Sequence, residues 1–373
     1  MNRRTFLHFP VVPAVAAATA DRTPQYRVSS KYSAQGGFGM PGPYPGRVVA
    51  VHAEKSIDVS TDRVDRAVVR EMLSRAMTTL TGANSAREAW ARFFGPEDVV
   101  GIKLNCSGAP DVCSTPEVVG EIAENLTRAG VLPRNIYLYE RFENQIVTVP
   151  YARFVPAGVN IHPVERERGA LAGYDPYTYV EVNFFGEEDT RSNLVRLVSE
   201  RLTKIVNVPN MKDHGASGVT GCLKNVAYGN FSNVARSHRS ERTNTLTFIG
   251  TLAGVEPLRS KTVLHVMDGL RGVWHGGPFV RDKRFVFYPK QMMVGTDPVA
   301  MDRQLLDLIE RKRRAQGAPS VWDRSMQHVR EDRPLDPNFN AFVREPGHIE
   351  YASKLGLGRY DEGSIRRTDL EIA

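Results

Sequence analysis

Between residues 99 and 140 apolar runs of two different periods alternate, and this constrains the fold more than any other feature of the chain. Val99-Val100-Gly101-Ile102-Lys103-Leu104-Asn105, introduced by Pro96-Glu97-Asp98, is short and largely apolar, so it reads as a strand. Thr115 then offers an N-cap and Pro116 a first helical residue, followed by Val118, Val119, Ile122 and Leu126 at helical spacing. Gly130 ends that helix, and Asn135 to Glu140 is strand-like again. Strands joined through a helix run parallel, so the pattern predicts an α/β fold: a mixed, mainly parallel open sheet with helices on both faces.

The rest of the chain extends the same reading. Arg47 to His52 is an earlier strand, followed by a helix with Val68, Val69, Met72, Leu73, Ala76 and Leu80 inward and Thr81-Gly82 at its end. Short strand-like pieces lie at Val159 to Ile161 and Tyr179 to Val182, and Leu194 to Leu202 suggests a helix. Lys204 to Val208, Thr262 to Met267 and Gln291 to Val294 are further strands, the second ending at Asp268-Gly269. Thr296 or Asp297 caps a helix with Pro298 in its first turn, which ends near Arg314, and Ile349 to Leu355 forms a short closing helix. The organisation expected is a leader over 1–20, an extended Gly/Pro-rich lead-in over 21–46, an α/β domain over 47–310, and a loop-rich C-terminal extension over 311–373.

The leader has a specific look. Asn2-Arg3-Arg4-Thr5-Phe6-Leu7 resembles a twin-arginine export signal, Phe9 to Ala18 is mildly apolar, and Ala18-Thr19-Ala20 suits cleavage before Asp21. The apolar stretch is too short to span a bilayer, so the expectation is a periplasmic or extracellular protein with no integral membrane segment in its mature form. The twin-arginine translocation machinery is then a partner. The formal charge of +7 falls to +5 once Arg3 and Arg4 are removed with the leader. That is mild, and the run Arg311-Lys312-Arg313-Arg314 sits at a helix end where cations complement the dipole, so no nucleic-acid partner is expected. Cys106, Cys113 and Cys222 match no zinc or iron–sulfur spacing, and no iron–sulfur cluster is expected. In an oxidising compartment Cys106 and Cys113 can pair, or all can be buried thiols.

Chemistry concentrates in Asn207-Val208-Pro209-Asn210-Met211-Lys212-Asp213-His214 through Gly218-Val219-Thr220-Gly221-Cys222-Leu223-Lys224-Asn225. It follows an apolar strand and is too Gly-rich for a helix interior, so it reads as the kind of strand-end loop on which open α/β sheets build sites. Lys103, inside an apolar strand, needs a partner or a ligand charge. Lys212, Lys224, Arg236 and His238 add positive or titratable groups, Thr220 and Asn225 neutral hydrogen bonds, and Asp268 and Asp297 stand at other strand ends, which a parallel sheet is expected to bring to the same edge as Lys103. Asp297 reads first as a cap. Such a set favours a small anionic ligand, with His214 suited to moving a proton near neutral pH. A metal through His214, His238, Asp268 or His275 stays open, but no two histidines have a helical metal spacing.

These segments resemble a family called domain of unknown function 362. They are Val100 to Asn105, Ser114 to Val119, Asn207 to Asn225, Asp268-Gly269 and Thr296 to Asp302, within residues 47–310. A more distant resemblance is to nickel-pincer lactate racemases, in which a Lys ten positions after a His tethers an organic cofactor. His214 and Lys224 have that spacing, and Ser114-Thr115-Pro116 stands where those enzymes have a substrate-side Thr-Pro. That resemblance implies Lys224 as a tether, His214 as its acid/base neighbour and Thr115 on the substrate side.

The leading expectation is an exported enzyme, an oxidoreductase or isomerase, acting on a small anionic substrate by proton or hydride transfer. Its catalytic residues would be His214, Lys224 and Lys103. Lys212, Thr115, Thr220, Asn225, Arg236, His238 and Asp268 would bind substrate or cofactor. The sequence leaves the cofactor unidentified, a metal or a lysine-tethered organic group. The alternative is an exported anion- or metal-binding protein without catalysis.

Overall fold

The computed structural model describes residues 24–34, 36–239, 242–323 and 343–373, and the expected leader lies outside them. An eleven-stranded mixed sheet forms the centre. Ten of its strands matter below: β1 (Arg47–Ala53), β2 (Val100–Lys103), β3 (Ile136–Phe142), β4 (Asn160–Glu165), β5 (Lys204–Asn207), β6 (Asn210–His214), β7 (Gly218–Thr220), β8 (Thr262–Val273), β9 (Gln291–Gly295) and β10 (Arg366–Ile372). The spatial order is β10-β1-β9-β8-β5-β2-β3-β4, and β6 pairs with the far half of β8 and with β7.

Every strand on that path runs the same way except β9, which is antiparallel to both β8 and β1. The C-terminal ends of β2, β3, β4 and β5 therefore reach one edge of the sheet. Lys103 stands opposite Asn207 on one side and Tyr139 on the other.

Both faces are buried, as the strands' continuous apolar character requires. Val49, Val51, Ile102 and Leu138 face α1 (Arg66–Thr81) and α2 (Pro116–Arg128). Val48, Ala50, Tyr139 and Ile205 face the opposite layer. That layer holds α3 (Cys222–Gly229), α4 (Thr245–Ala253), α5 (Pro298–Ala315) and α6 (His348–Lys354). Complete burial of each valine or isoleucine is worth about 1.5–3 kcal/mol, so the sheet and its two layers hold together chiefly by apolar contact. Local signals set the helix ends. Asp65 accepts from the Ala67 and Val68 amides, and Gly82 closes α1 in the left-handed region at φ 69°.

Several expectations need correction. Asp297 lies at the opposite edge from Lys103, because β9 runs against its neighbours. It caps α5 through the Ala300 amide and also accepts from Gly46 and Arg359. Asp268 does not end its strand, since β8 continues to Val273 and carries β6 alongside. The segment 207–225 is a β-hairpin followed by a helix, not an open loop. Residues 191–195 extend a strand before a helix of only five residues, where a longer helix was expected. The C-terminal stretch includes β10, paired with β1 along its full length. In the lead-in, Arg27–Ser29 joins a separate three-stranded sheet, and Tyr26 stacks on Phe248.

Candidate functional site

A cavity of about 650 Å³ opens at the edge where β2, β3 and β4 end. The β6–β7 hairpin and α3 wall its inner side, with His214, Thr220, Lys224, Asn225 and Tyr228 facing it, and His238 closes that wall. Arg141, Arg168 and Arg281 also line the cavity, with Phe142, Leu171 and Phe279.

The hairpin and helix are fixed by a close approach at Gly221. A β carbon there would lie 2.1 Å from Asp302 Oδ1. Without one, the Asp302 carboxyl on α5 accepts from the Cys222 amide at 2.5 Å and the Leu223 amide at 2.9 Å. It thereby satisfies two of the amides left open at the start of α3. Burial pushes the Asp302 carboxyl up to about 7 in spite of those amides. Lys224 is the next residue, so Asp302 fixes the turn from which the lysine projects.

Three lysines are buried near this edge, and they differ in what they touch. Lys103 donates to Glu140 at 2.8 Å and to the Leu104 carbonyl, its stem packed where Gly229 leaves room on α3. Lys212 donates to Asn105 Oδ1 at 2.9 Å and the Val112 carbonyl at 2.8 Å, and burial brings its pKa down to about 8. Lys224 has no hydrogen-bond acceptor among the described residues; its amine sits 4.1 Å from the Tyr228 ring centre. Burial, and then the charge of Arg141, bring the Lys224 pKa down to about 7. Of the three, only Lys224 lines the cavity.

Two neutral histidines share its wall. Burial first, then the charges of Lys224 and His238, push His214 well below the ordinary imidazole range. Its Nδ1 accepts from the Ala216 amide at 3.1 Å, which leaves the proton on Nε2. Burial and Lys224 likewise depress His238. The two rings lie 5.2 Å apart, and His238 shares a hydrogen bond with Ser237, which shares another with the Tyr228 hydroxyl. His348 on α6 is buried behind them and depressed to about 4 by that burial.

The remaining expected residues divide. Asn225 lines the cavity and joins a buried amide network, donating to Asn207 at 2.7 Å and accepting from Asn105 at 3.2 Å. That network continues to Lys212 through Asn105, so Lys212 supports the wall from behind. Lys103, Thr115, Arg236 and Asp268 do not line the cavity. Asp268 accepts from the Thr115 amide at 2.7 Å at the start of α2, a structural link that burial accompanies with a raised carboxyl pKa. Arg236 spends its donors on Glu187, the Val182, Thr190 and Asn233 carbonyls and Ser192. It therefore anchors residues 182–192 and does not reach the ligand space.

Several wall residues were not expected. Glu140 and Arg141 lie in the last three residues of β3, and Glu165 ends β4, where it pairs with Arg141 at 2.8 Å. Strand ends already singled out Lys103, and the same rule applied to Asn135 to Glu140 would have found Glu140. Arg344 is buried against Asp213, and its partner lies 131 positions earlier in the chain. Against burial, which raises it, the charge of Arg344 keeps the Asp213 carboxyl low. Among the described residues no three His, Cys, Asp or Glu side chains are grouped to hold a metal. The three cysteines are buried free thiols.

Residues 100–307 match the family described as Domain of unknown function (DUF362). The chain belongs to the DUF362 family. Its matched span takes in β2 to β9, hence the hairpin, α3 and every lining residue named for the cavity, but ends before Arg344 and α6. No curated protein matches the chain. The similarity to nickel-pincer lactate racemases thus has no support beyond the spacing of His214 and Lys224, and Thr115 stands outside the cavity. No helix among the described residues is long and apolar enough to cross a membrane.

Proposed function

We propose that this DUF362 protein binds a small anionic substrate in the cavity at Lys224 and transfers a proton to or from it through His214 and His238. The observation that carries the reading is the contrast among the buried lysines. Lys103 and Lys212 are satisfied by protein acceptors, whereas the Lys224 amine faces the cavity against the Tyr228 ring with no hydrogen-bond acceptor among the described residues. A desolvated cation without an acceptor is unfavourable until an anion joins it.

The surrounding charges favour the same ligand. Glu140 is paired with Lys103 and Glu165 with Arg141, while Arg168 and Arg281 add positive charge to the lining against the carboxylate of Asp189. Of the two neutral imidazoles near the amine, His214 has its Nε2 proton to give, and His238 is a second group suited to proton transfer. We further propose export of the folded protein through the Arg3-Arg4 signal.

Calorimetric titration of the mature chain with oxalate, succinate and inorganic phosphate tests the binding. At least one should bind to the parent and to the surface control Lys55→Met, and fail to bind to Lys224→Met. Equal binding by Lys224→Met, or binding of none of the three probes, overturns the reading.

A further inference from the structure

We infer that Lys224 is a nucleophile, and that the substrate class is a small carboxylate bearing a reactive carbonyl, a 2-oxo acid, which Lys224 takes up as an imine. This rests on the anion reading of the cavity and narrows it.

The geometry sets Lys224 apart as an attacking amine. It projects from the first turn of α3 into a cavity large enough for a small carboxylate, and its nitrogen is not spent on a protein acceptor among the described residues. Asp302 occupies the amides at the start of α3, and no carboxylate among the described residues pairs with Lys224. The amine thus has a substantial neutral fraction at neutral pH, the form that attacks a carbonyl. Lys212 is an internal contrast: it too is depressed, but its nitrogen is consumed by Asn105 and Val112 and does not line the cavity.

The neighbouring groups suit both halves of such a substrate. Arg141, Arg168 and Arg281 line the same cavity, where a carboxylate can be held. The neutral imidazoles of His214 and His238 line it near enough to feel the Lys224 charge.

The step balances without a co-reactant. The Lys224 nitrogen lone pair forms a bond to the carbonyl carbon, the C=O π electrons move to oxygen, and a neutral imidazole returns to that oxygen the proton lost by nitrogen. The resulting carbinolamine breaks its C–O bond as the nitrogen lone pair forms C=N; the N–H proton passes through an imidazole to the departing oxygen, which leaves as water, and the imine nitrogen then takes a proton from solvent. The protonated imine acidifies the adjacent C–H, the bond at which an imidazole can then act as base. Hydrolysis reverses the sequence and frees the amine.

The test uses the full mature chain with pyruvate as probe and sodium cyanoborohydride to reduce any imine, followed by peptide mapping. The expected result is one reduced adduct per chain at Lys224, saturating with pyruvate and suppressed by oxalate. Lys224→Arg should lose it while Lys212 stays unlabelled. Labelling spread over exposed lysines with Lys224 not enriched overturns the inference. Lys224-dependent oxalate binding with no adduct removes the imine alone, and absence of both removes the anion reading with it.

Discussion

Gly221 and Asp302 occupy adjoining space that admits no further atom: a β carbon on the glycine would lie 2.1 Å from Asp302 Oδ1. The consequence is a helix start, since the same carboxyl receives the Cys222 and Leu223 amides and so fixes the turn that carries Lys224. Gly221→Ala must push Asp302 away or shift the first turn of α3. Overpacking of this kind costs about 1–3 kcal/mol. Urea unfolding should register that loss, and oxalate binding should fall with it. An alanine variant with parent stability and parent affinity would show that the contact does not position the lysine.

The depressed Lys224 predicts a pH-dependent stability. An unfolded chain holds the lysine proton up to about 10.4, whereas the folded chain releases it near 7. Between those values the unfolded state binds more protons, so the parent gains stability as pH rises and loses it as pH falls through 7. Lys224→Met lacks this contribution, while Lys212 adds its own to both proteins. Denaturant midpoints should therefore place the parent furthest below the variant near pH 7 and close the gap by a few kcal/mol at most toward pH 10. Parallel pH profiles would mean that Lys224 titrates as a solvated amine.

Much of this arrangement was legible in the sequence because local signals and global fold agree. The β2–α2–β3 alternation predicts parallel strands, and parallel strands bring their polar ends to one edge. Lys224, His214, Thr220 and Asn225, singled out by that rule, line one cavity, together with His238. Strand direction is not written in an apolar run, however. Gln291 to Val294 reads the same whether parallel or antiparallel, and so Asp297 was placed on the wrong edge. Compensation is equally hidden. Nothing in Val-Gly-Ile-Lys-Leu says that Glu140 meets Lys103, or that Asn105 takes up Lys212, because those partners arrive from other segments. The same holds for Arg344, whose reach to Asp213 depends on tertiary packing alone.

That Arg344–Asp213 pair gives a third expectation. Both side chains are buried, so Arg344→Met leaves a carboxylate without its cation beside His214. Loss of one partner of a buried pair costs about 3–5 kcal/mol. Adding Asp213→Leu should recover much of the loss in chemical denaturation. A single variant as stable as the parent would show the pair to be dispensable.

Export gives a fourth. Replacing Arg3 and Arg4 with lysine should hold the protein in the cytoplasm with residues 1–20 still attached. Fractionation and intact mass read both outcomes. A cleaved form outside the cytoplasm would show that another feature of the leader directs it.

The central claim is that the Lys224 amine is a desolvated group awaiting an anion, and side-chain NMR titration of isotopically labelled lysine measures it directly. The resonance assigned by its absence in Lys224→Met should titrate near pH 7, and saturating oxalate should move that midpoint upward, because a bound anion stabilises the ammonium. A midpoint at the ordinary lysine value of about 10.4, unmoved by oxalate, phosphate or succinate, would contradict the account.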